Sequence, residues 1–132
     1  LETKRKIYIG GCLMKKLMLI CAPVTSRSGY GNHARDIATS LLNNDKYDLF
    51  IQDVPWGACP RNALMDNNNP IVRELKASFL NHKNLMAQPD IYIDLRIPNE
   101  FQQHGKINIG MTAGIETNAV SPNGLNAVTI WI

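Results

Sequence analysis

The chain has 132 residues, 45% of them hydrophobic and 19% charged, which describes one globular domain with a real core and excludes a disordered chain. Its net charge of +3 comes from one end: residues 1–16 hold five basic groups and one acid, leaving nine basic and ten acidic groups in residues 17–132. A basic nucleic-acid-binding face is thereby excluded, and no apolar run approaches the roughly 20 residues of a membrane span.

Residues 1–13 read as a basic N-terminal extension ahead of the domain at 14–132. Met14 is a plausible start, which would make 1–13 upstream read-through; the alternative is a genuine fragment end, in which Ile7 and Ile9 alternate weakly like a strand. Met14-Lys15-Lys16 and the apolar residues after them imitate a signal peptide. The apolar part is short, however, and Pro23 and Arg27 follow at once, so secretion is not expected. Cys12, Cys21 and Cys59 are odd in number and lack C-x-x-C spacing. That argues against a disulfide framework or a zinc site and for a reducing, cytoplasmic compartment.

Residues 17–22 form a continuous apolar run, the pattern of a strand buried on both faces of a parallel sheet. Pro23 closes it and a polar loop follows. The next segment carries Ala34, Ile37, Ala38, Leu41 and Leu42 at helical spacing and ends at Asn43-Asn44-Asp45. Residues 47–54 alternate as a second strand, with Asp53 at its end and Pro55 blocking extension. After a loop over 55–70, Asn69 is a cap and Pro70 a first helical residue. Ile71, Val72, Leu75, Phe79 and Leu80 predict an apolar helix face running to about Asn81-His82.

Residues 90–97 predict a third strand, with Ile91, Ile93, Leu95 and Ile97 on one face and Tyr92, Asp94 and Arg96 on the other. A local Asp94–Arg96 pairing is the one rationale for that half-polar face. Residues 106–113 predict a fourth strand, 122–127 a helical turn and 128–132 a fifth strand. The apolar stop at Ile132 predicts a truncated gene product. The alternation gives an α/β domain: a Rossmann-like parallel sheet of about five strands with flanking helices, right-handed crossovers and strand order 2-1-3-4-5. That order sets the loop at Gly29–Gly31 opposite residues 98–101 at the topological switch point.

Gly29-Tyr30-Gly31-Asn32-His33-Ala34 matches G-x-G-x-x-G/A, and Asp53 lies 22 residues beyond Gly31, where an acidic ribose ligand is expected. Taken alone this predicts a dinucleotide site. The spacing opposes it: six residues separate Ala22 from Gly29, whereas the fingerprint's first glycine sits in the turn directly after the strand.

Residues 16–42, with Ser28-Gly29-Tyr30-Gly31 and then Arg35 on a helix, look like the opening of a family 4-like glycosyltransferase of the GT-B fold. Further on, Pro89-Asp90-Ile91, Ile97-Pro98-Asn99-Glu100-Phe101, the run from Asn108 to Thr117, and Ser121-Pro122 are similar to a bacterial and phage subgroup of these enzymes. The resemblance implies the N-terminal, acceptor-side domain of an enzyme that moves a sugar from a nucleotide-diphosphate sugar donor to an unknown acceptor. It implies no cofactor and no metal. The second domain, with the acidic pair that holds the donor, is not in this sequence, so the piece alone is expected to be inactive.

The resemblance also implies a cleft. Gly29, Tyr30 and Gly31 would meet donor phosphate or the transferred sugar, with Tyr30 stacking on a sugar ring or shielding the loop. Residues 112–117, with Thr112 and Gly114, would line the same cleft, and Asn99 and Thr112 would bond sugar hydroxyls. Many relatives place a histidine after a middle strand. Here those loops offer Asn99-Glu100 and Gly114-Ile115-Glu116, so Glu116 and Glu100 are the candidate catalytic carboxylates, each with a helix-capping alternative. His33, His82 and His104 match no such position. Two other readings stay open: an NAD(P)-binding domain of an oxidoreductase or epimerase, and a non-catalytic α/β binding module.

Overall fold

The computed structural model describes residues 15–44, 46–97, 100–112 and 130–131. In chain order these form β1 (Lys16–Ala22), α1 (Gly29–Leu42), β2 (Tyr47–Asp53), α2 (Pro70–Ala77), β3 (Ile91–Leu95), β4 (Ile107–Met111) and β5 (Ile130–Trp131). All pairings are parallel and the order is β2-β1-β3-β4-β5, the arrangement expected from the alternation. Four strands of five to seven residues make up the sheet, and the fifth is a two-residue pairing on β4. The expected helical turn at 122–127 and the extension at 1–13 lie outside the described residues.

β1 is central, and its uninterrupted apolar sequence serves two cores. Met18, Ile20 and Ala22 join Leu49, Ile51, Ile93 and Leu95 beneath Ala34 and Ala38 of α1 and Val72 and Leu75 of α2. Leu19 and Cys21 face the other way with Phe50 and Tyr92, against Leu80 and Leu85. Among the described residues it is the loop carrying Leu80 and Leu85 that packs on this second face, and Lys83 reaches over it, its Nζ 4.5 Å from the Phe50 ring centre.

Both helix starts are set by their caps. Ser28 Oγ accepts from Gly31 N at 3.0 Å, and Asn69 Oδ1 accepts from Ile71 N at 2.9 Å with Pro70 behind it. The end of α2 differs from the expectation. The helix stops at Ala77, where Ser78 Oγ turns back to donate to the Glu74 carbonyl at 3.1 Å. Residues 78–80 then run beside the outer edge of β2: Ile51 N donates to Ser78 O at 2.8 Å and Leu80 N to Ile51 O at 2.9 Å. Phe79 and Leu80 are therefore partly buried by an edge pairing, one packed against each core, and not by a helix face. Ile71, expected on the apolar face, is 44% exposed.

Candidate functional site

The loop between β1 and α1 is built around Gly31 and Arg35. A Cβ at position 31 would sit 2.0 Å from the Ser26 carbonyl oxygen, so only glycine lets the helix start beneath that carbonyl. Arg35 Nη1 donates to the carbonyls of Val24 at 2.9 Å and Ser26 at 2.6 Å, and its Nη2 donates to Asn32 Oδ1. Burial lowers the Arg35 pKa from its usual value. Ser26 is fully buried, its hydroxyl 2.8 Å from that of Ser28. The arginine expected on this helix thus holds the loop's own backbone. Gly29 is different: it is exposed, and nothing stands within 4 Å of where its Cβ would be.

Asp53, at the end of β2, closes the same loop from the other side. Its Oδ1 accepts from Thr25 N at 3.1 Å, and its Oδ2 accepts from Thr25 Oγ1 at 2.6 Å and from Arg61 Nη2 at 2.6 Å. Both oxygens are engaged within the protein. The carboxylate that the dinucleotide reading would assign to a ribose is occupied in fastening two loops.

Those loops are the β1–α1 loop and the long connection after β2. Arg27 N donates to Pro60 O at 2.9 Å and Ala63 N to Thr25 O at 3.0 Å, while Arg27 Nε reaches Asn62 Oδ1 at 2.6 Å. This lacing lays Trp56 on Tyr30, with ring centres 3.9 Å apart and planes 17° from parallel. Tyr30 Oη in turn lies 2.9 Å from Thr112 Oγ1, just past the end of β4. Gly29, Tyr30, His33, Trp56 and Thr112 line an open cleft of about 350 Å³ at the carboxyl ends of the strands.

Comparisons with protein-family models, with curated proteins and with solved structures give no match to this chain.

Of the residues singled out in the sequence, Gly29, Tyr30 and Thr112 come together in the cleft. Gly31 lies below them, buried, its N–H taken by Ser28. Glu116, Asn99 and Gly114 lie outside the described residues. Glu100 is exposed at the carboxyl side of β3, and its own carbonyl accepts from Arg96 Nη2 at 2.6 Å.

The polar face of β3 has a clear account. Arg96 donates through Nε to Asp94 Oδ1 at 2.6 Å and through Nη2 to Oδ2 at 2.9 Å. Asp94 is fully buried and also accepts from Tyr92 Oη at 3.1 Å and Gln102 N at 3.0 Å. The local pairing expected from the sequence is thus a forked ion pair that fixes both ends of the turn carrying Glu100. The hydrogen bond to Asp94 raises the Arg96 pKa, and burial raises those of the Cys21 thiol and the Tyr92 phenol. Asn108, from the motif after β3, exchanges side-chain bonds with Gly105 N and Gly105 O, each 2.9 Å, and so pins the turn into β4.

His82 and His104 are exposed, and His104 packs edge-on against Tyr92 with ring centres 5.0 Å apart. Two cleft residues were missed by sequence reasoning. His33 stands three positions after Tyr30, a spacing that puts both on one helix face, so the signal was present. Trp56 reaches the cleft only through the long-range lacing of residues 25–27 to 60–63, which no local pattern encodes.

Among the described residues no helix is long and apolar enough to cross a membrane, and no group of three His, Cys, Asp or Glu is arranged to hold a metal ion.

Proposed function

We propose that the chain is the N-terminal, acceptor-side domain of a GT-B, family 4-like glycosyltransferase, a Rossmann-like unit of a cytoplasmic enzyme. The parent reaction moves a sugar from a nucleotide-diphosphate sugar to an acceptor. The observation that carries this reading is the hydrogen bond between Tyr30 and Thr112, 82 positions apart. It joins two of the sequence stretches on which the resemblance rests, and it does so at the rim of an open cleft. The closed state of Asp53 supports the same choice, because a dinucleotide would find its ribose partner already engaged.

In this reading the exposed Gly29 at the start of α1 faces the donor phosphates, where the helix dipole favours negative charge. Gly31 and Arg35 shape that start from beneath. Thr112 and Tyr30 offer hydroxyls to sugar hydroxyls. Glu116 and Glu100 are the carboxylates proposed to polarise the acceptor hydroxyl, with Asn99 and Gly114 beside them. The domain presents one wall, and the complete enzyme supplies the other.

The test is amide and indole NMR mapping of the labelled chain with millimolar nucleotide-diphosphate sugars and, separately, NAD⁺ and NADP⁺. Shifts centred on Gly29, Tyr30 and Thr112 with a nucleotide sugar are expected. Shifts around Asp53 and Arg61 with a dinucleotide, and none with any nucleotide sugar, would overturn the proposal.

A further inference from the structure

The outer edge of β2 has a gap in its backbone pairing. Lys16 N donates to Lys46 O and Val54 N to Ala22 O, so the even-numbered residues of this stretch turn their backbone groups toward β1. The odd-numbered residues turn theirs outward. The Leu49 carbonyl is taken by Lys83 Nζ, and Ile51 is taken through both N–H and C=O by Ser78 and Leu80. Asp53 comes next. In a continuing ladder its N–H would meet the Leu80 carbonyl. The chain turns away there instead, with His82 N and Lys83 N both donating to Phe79 O. Among the described residues nothing takes the Asp53 N–H or C=O. The following outward residue is Pro55, which has no N–H to offer. The edge therefore keeps a single open rung, with a filled rung before it and a proline after it.

That rung opens onto a pocket of about 330 Å³. Phe79 and Leu80 give the pocket an apolar lining, and Arg61 lines it with its side chain 46% exposed. Arg61 Nη2 holds Asp53 Oδ2, while among the described residues its Nη1 and Nε have no partner. Gln52 and Asn81, both exposed, add side-chain amides.

A single rung does not suit an incoming strand, which draws its affinity from a succession of main-chain bonds. It suits one amino-acid unit. Two residues facing each other in an antiparallel ladder exchange both of their bonds, N–H to oxygen and oxygen to N–H. A guanidinium with uncommitted N–H groups in the same pocket favours a carboxylate as the oxygen that meets the Asp53 N–H. The apolar lining favours an apolar side chain.

We propose that this pocket binds an α-amino-acid unit with a free carboxylate and an apolar side chain. The carboxylate meets the Asp53 N–H and Arg61, the α-nitrogen donates to the Asp53 carbonyl, and the side chain rests on Phe79 and Leu80. A free amino acid and the last residue of a peptide present the same group. The site goes beyond sugar transfer and does not rest on it, since it shares no lining residue with the cleft at Gly29.

The experiment follows the Asp53 amide and the Arg61 Nε–H of the 132-residue chain by NMR. The probes are leucine, N-acetyl-leucine, which imitates a peptide end, and N-acetyl-leucinamide, which lacks the carboxylate. At least one of the two carboxylates is expected to shift both signals saturably, and the amide should bind about tenfold more weakly or worse. A response to leucine alone assigns the site to a free amino acid, and a response to N-acetyl-leucine assigns it to a chain end. Arg61→Gln should weaken the responding carboxylate about tenfold, with spectral dispersion confirming the fold. The comparison of acid with amide on the unaltered chain decides the matter even if that variant does not fold.

Two carboxylates that leave the Asp53 and Arg61 signals unmoved overturn the proposal, as does an amide that binds as tightly as its acid. Neither result touches the transferase reading, which stands or falls on the response of Gly29, Tyr30 and Thr112 to nucleotide sugars.

Discussion

Gly29 and Gly31 are two residues apart and would be treated alike by any motif, yet alanine should have opposite effects at the two positions. At position 31 the new Cβ lies 2.0 Å from Ser26 O, 2.9 Å from Ser26 C and 3.2 Å from Arg35 Nη1. Ordinary contact begins near 3.4 Å, so the Ser26 carbonyl would have to retreat by about 1.4 Å. It cannot do so alone: it accepts from Arg35 at 2.6 Å, and the neighbouring Thr25 carbonyl accepts from Ala63 N at 3.0 Å. Overpacking of this kind costs about 1–3 kcal/mol, and loss of a charge-assisted bond adds about 1.5–3 kcal/mol if it breaks outright. A loss of about 3 kcal/mol is expected for Gly31→Ala, a large part of the roughly 5–15 kcal/mol that holds a domain together. At position 29 nothing lies within 4 Å, and alanine removes the backbone freedom of glycine in the unfolded chain. Gly29→Ala should stabilise by about 0.5 kcal/mol. Urea unfolding followed by circular dichroism, at constant slope, measures both. If the two variants agree within about 0.5 kcal/mol, the account of the loop is wrong.

Removing one member of the buried pair by Asp94→Ala should cost about 3–5 kcal/mol, because Arg96 is left half-buried without its partner; the same urea titration reads it. Asp90 accepts from Leu17 N at 2.9 Å, which, with Lys106 nearby, lowers its pKa below the ordinary carboxylate value. Its contribution to stability is therefore present above about pH 4, the unfolded value, and is lost as pH falls through the lower folded value. The wild-type urea midpoint should decline more steeply on acidification than that of Asp90→Asn, and parallel curves would refute this. Burial raises the Cys21 thiol pKa, whereas Cys59 is only partly buried, so alkylation of the native protein followed by peptide mass mapping should mark Cys59 well before Cys21. Ser28→Ala removes the cap on α1 and should lower stability by about 1 kcal/mol in thermal unfolding.

Much of the scaffold was legible because its signals are local. An unbroken apolar run gave β1, alternation gave the faces of β2 and β3, and Asn69-Pro70 gave the start of α2. The alternation of elements gave the parallel sheet; the order 2-1-3-4-5 was chosen among the common doubly wound orders and is the one observed. The end of α2 was not legible, because Val72, Leu75 and Phe79 keep helical spacing although the helix closes at Ala77. Phe79 continues the pattern from an edge pairing, and periodicity cannot tell one kind of burial from the other. At the cleft, Gly29, Tyr30 and Thr112 were named from motifs, while Trp56 depends on contacts between loops far apart in sequence. Asp53 was misleading in isolation: its position suits a ribose, and only its partners Thr25 and Arg61 reveal its role.

The strip formed by residues 78–80 has a consequence for how the molecule meets its own copies. An uncovered outer strand offers a row of backbone donors and acceptors to any passing chain, the usual entry point for runaway strand addition. Here the midpoint of β2 is already engaged on that side by Ser78 and Leu80. Farther along, Lys83 holds Asp48 at 2.6 Å and the Leu49 carbonyl at 2.9 Å. An invading strand would have to peel away that strip, uncover Phe79 and Leu80, and release a cation from its ion pair. The same short segment that ends a helix early thus closes one side of the sheet to polymerisation.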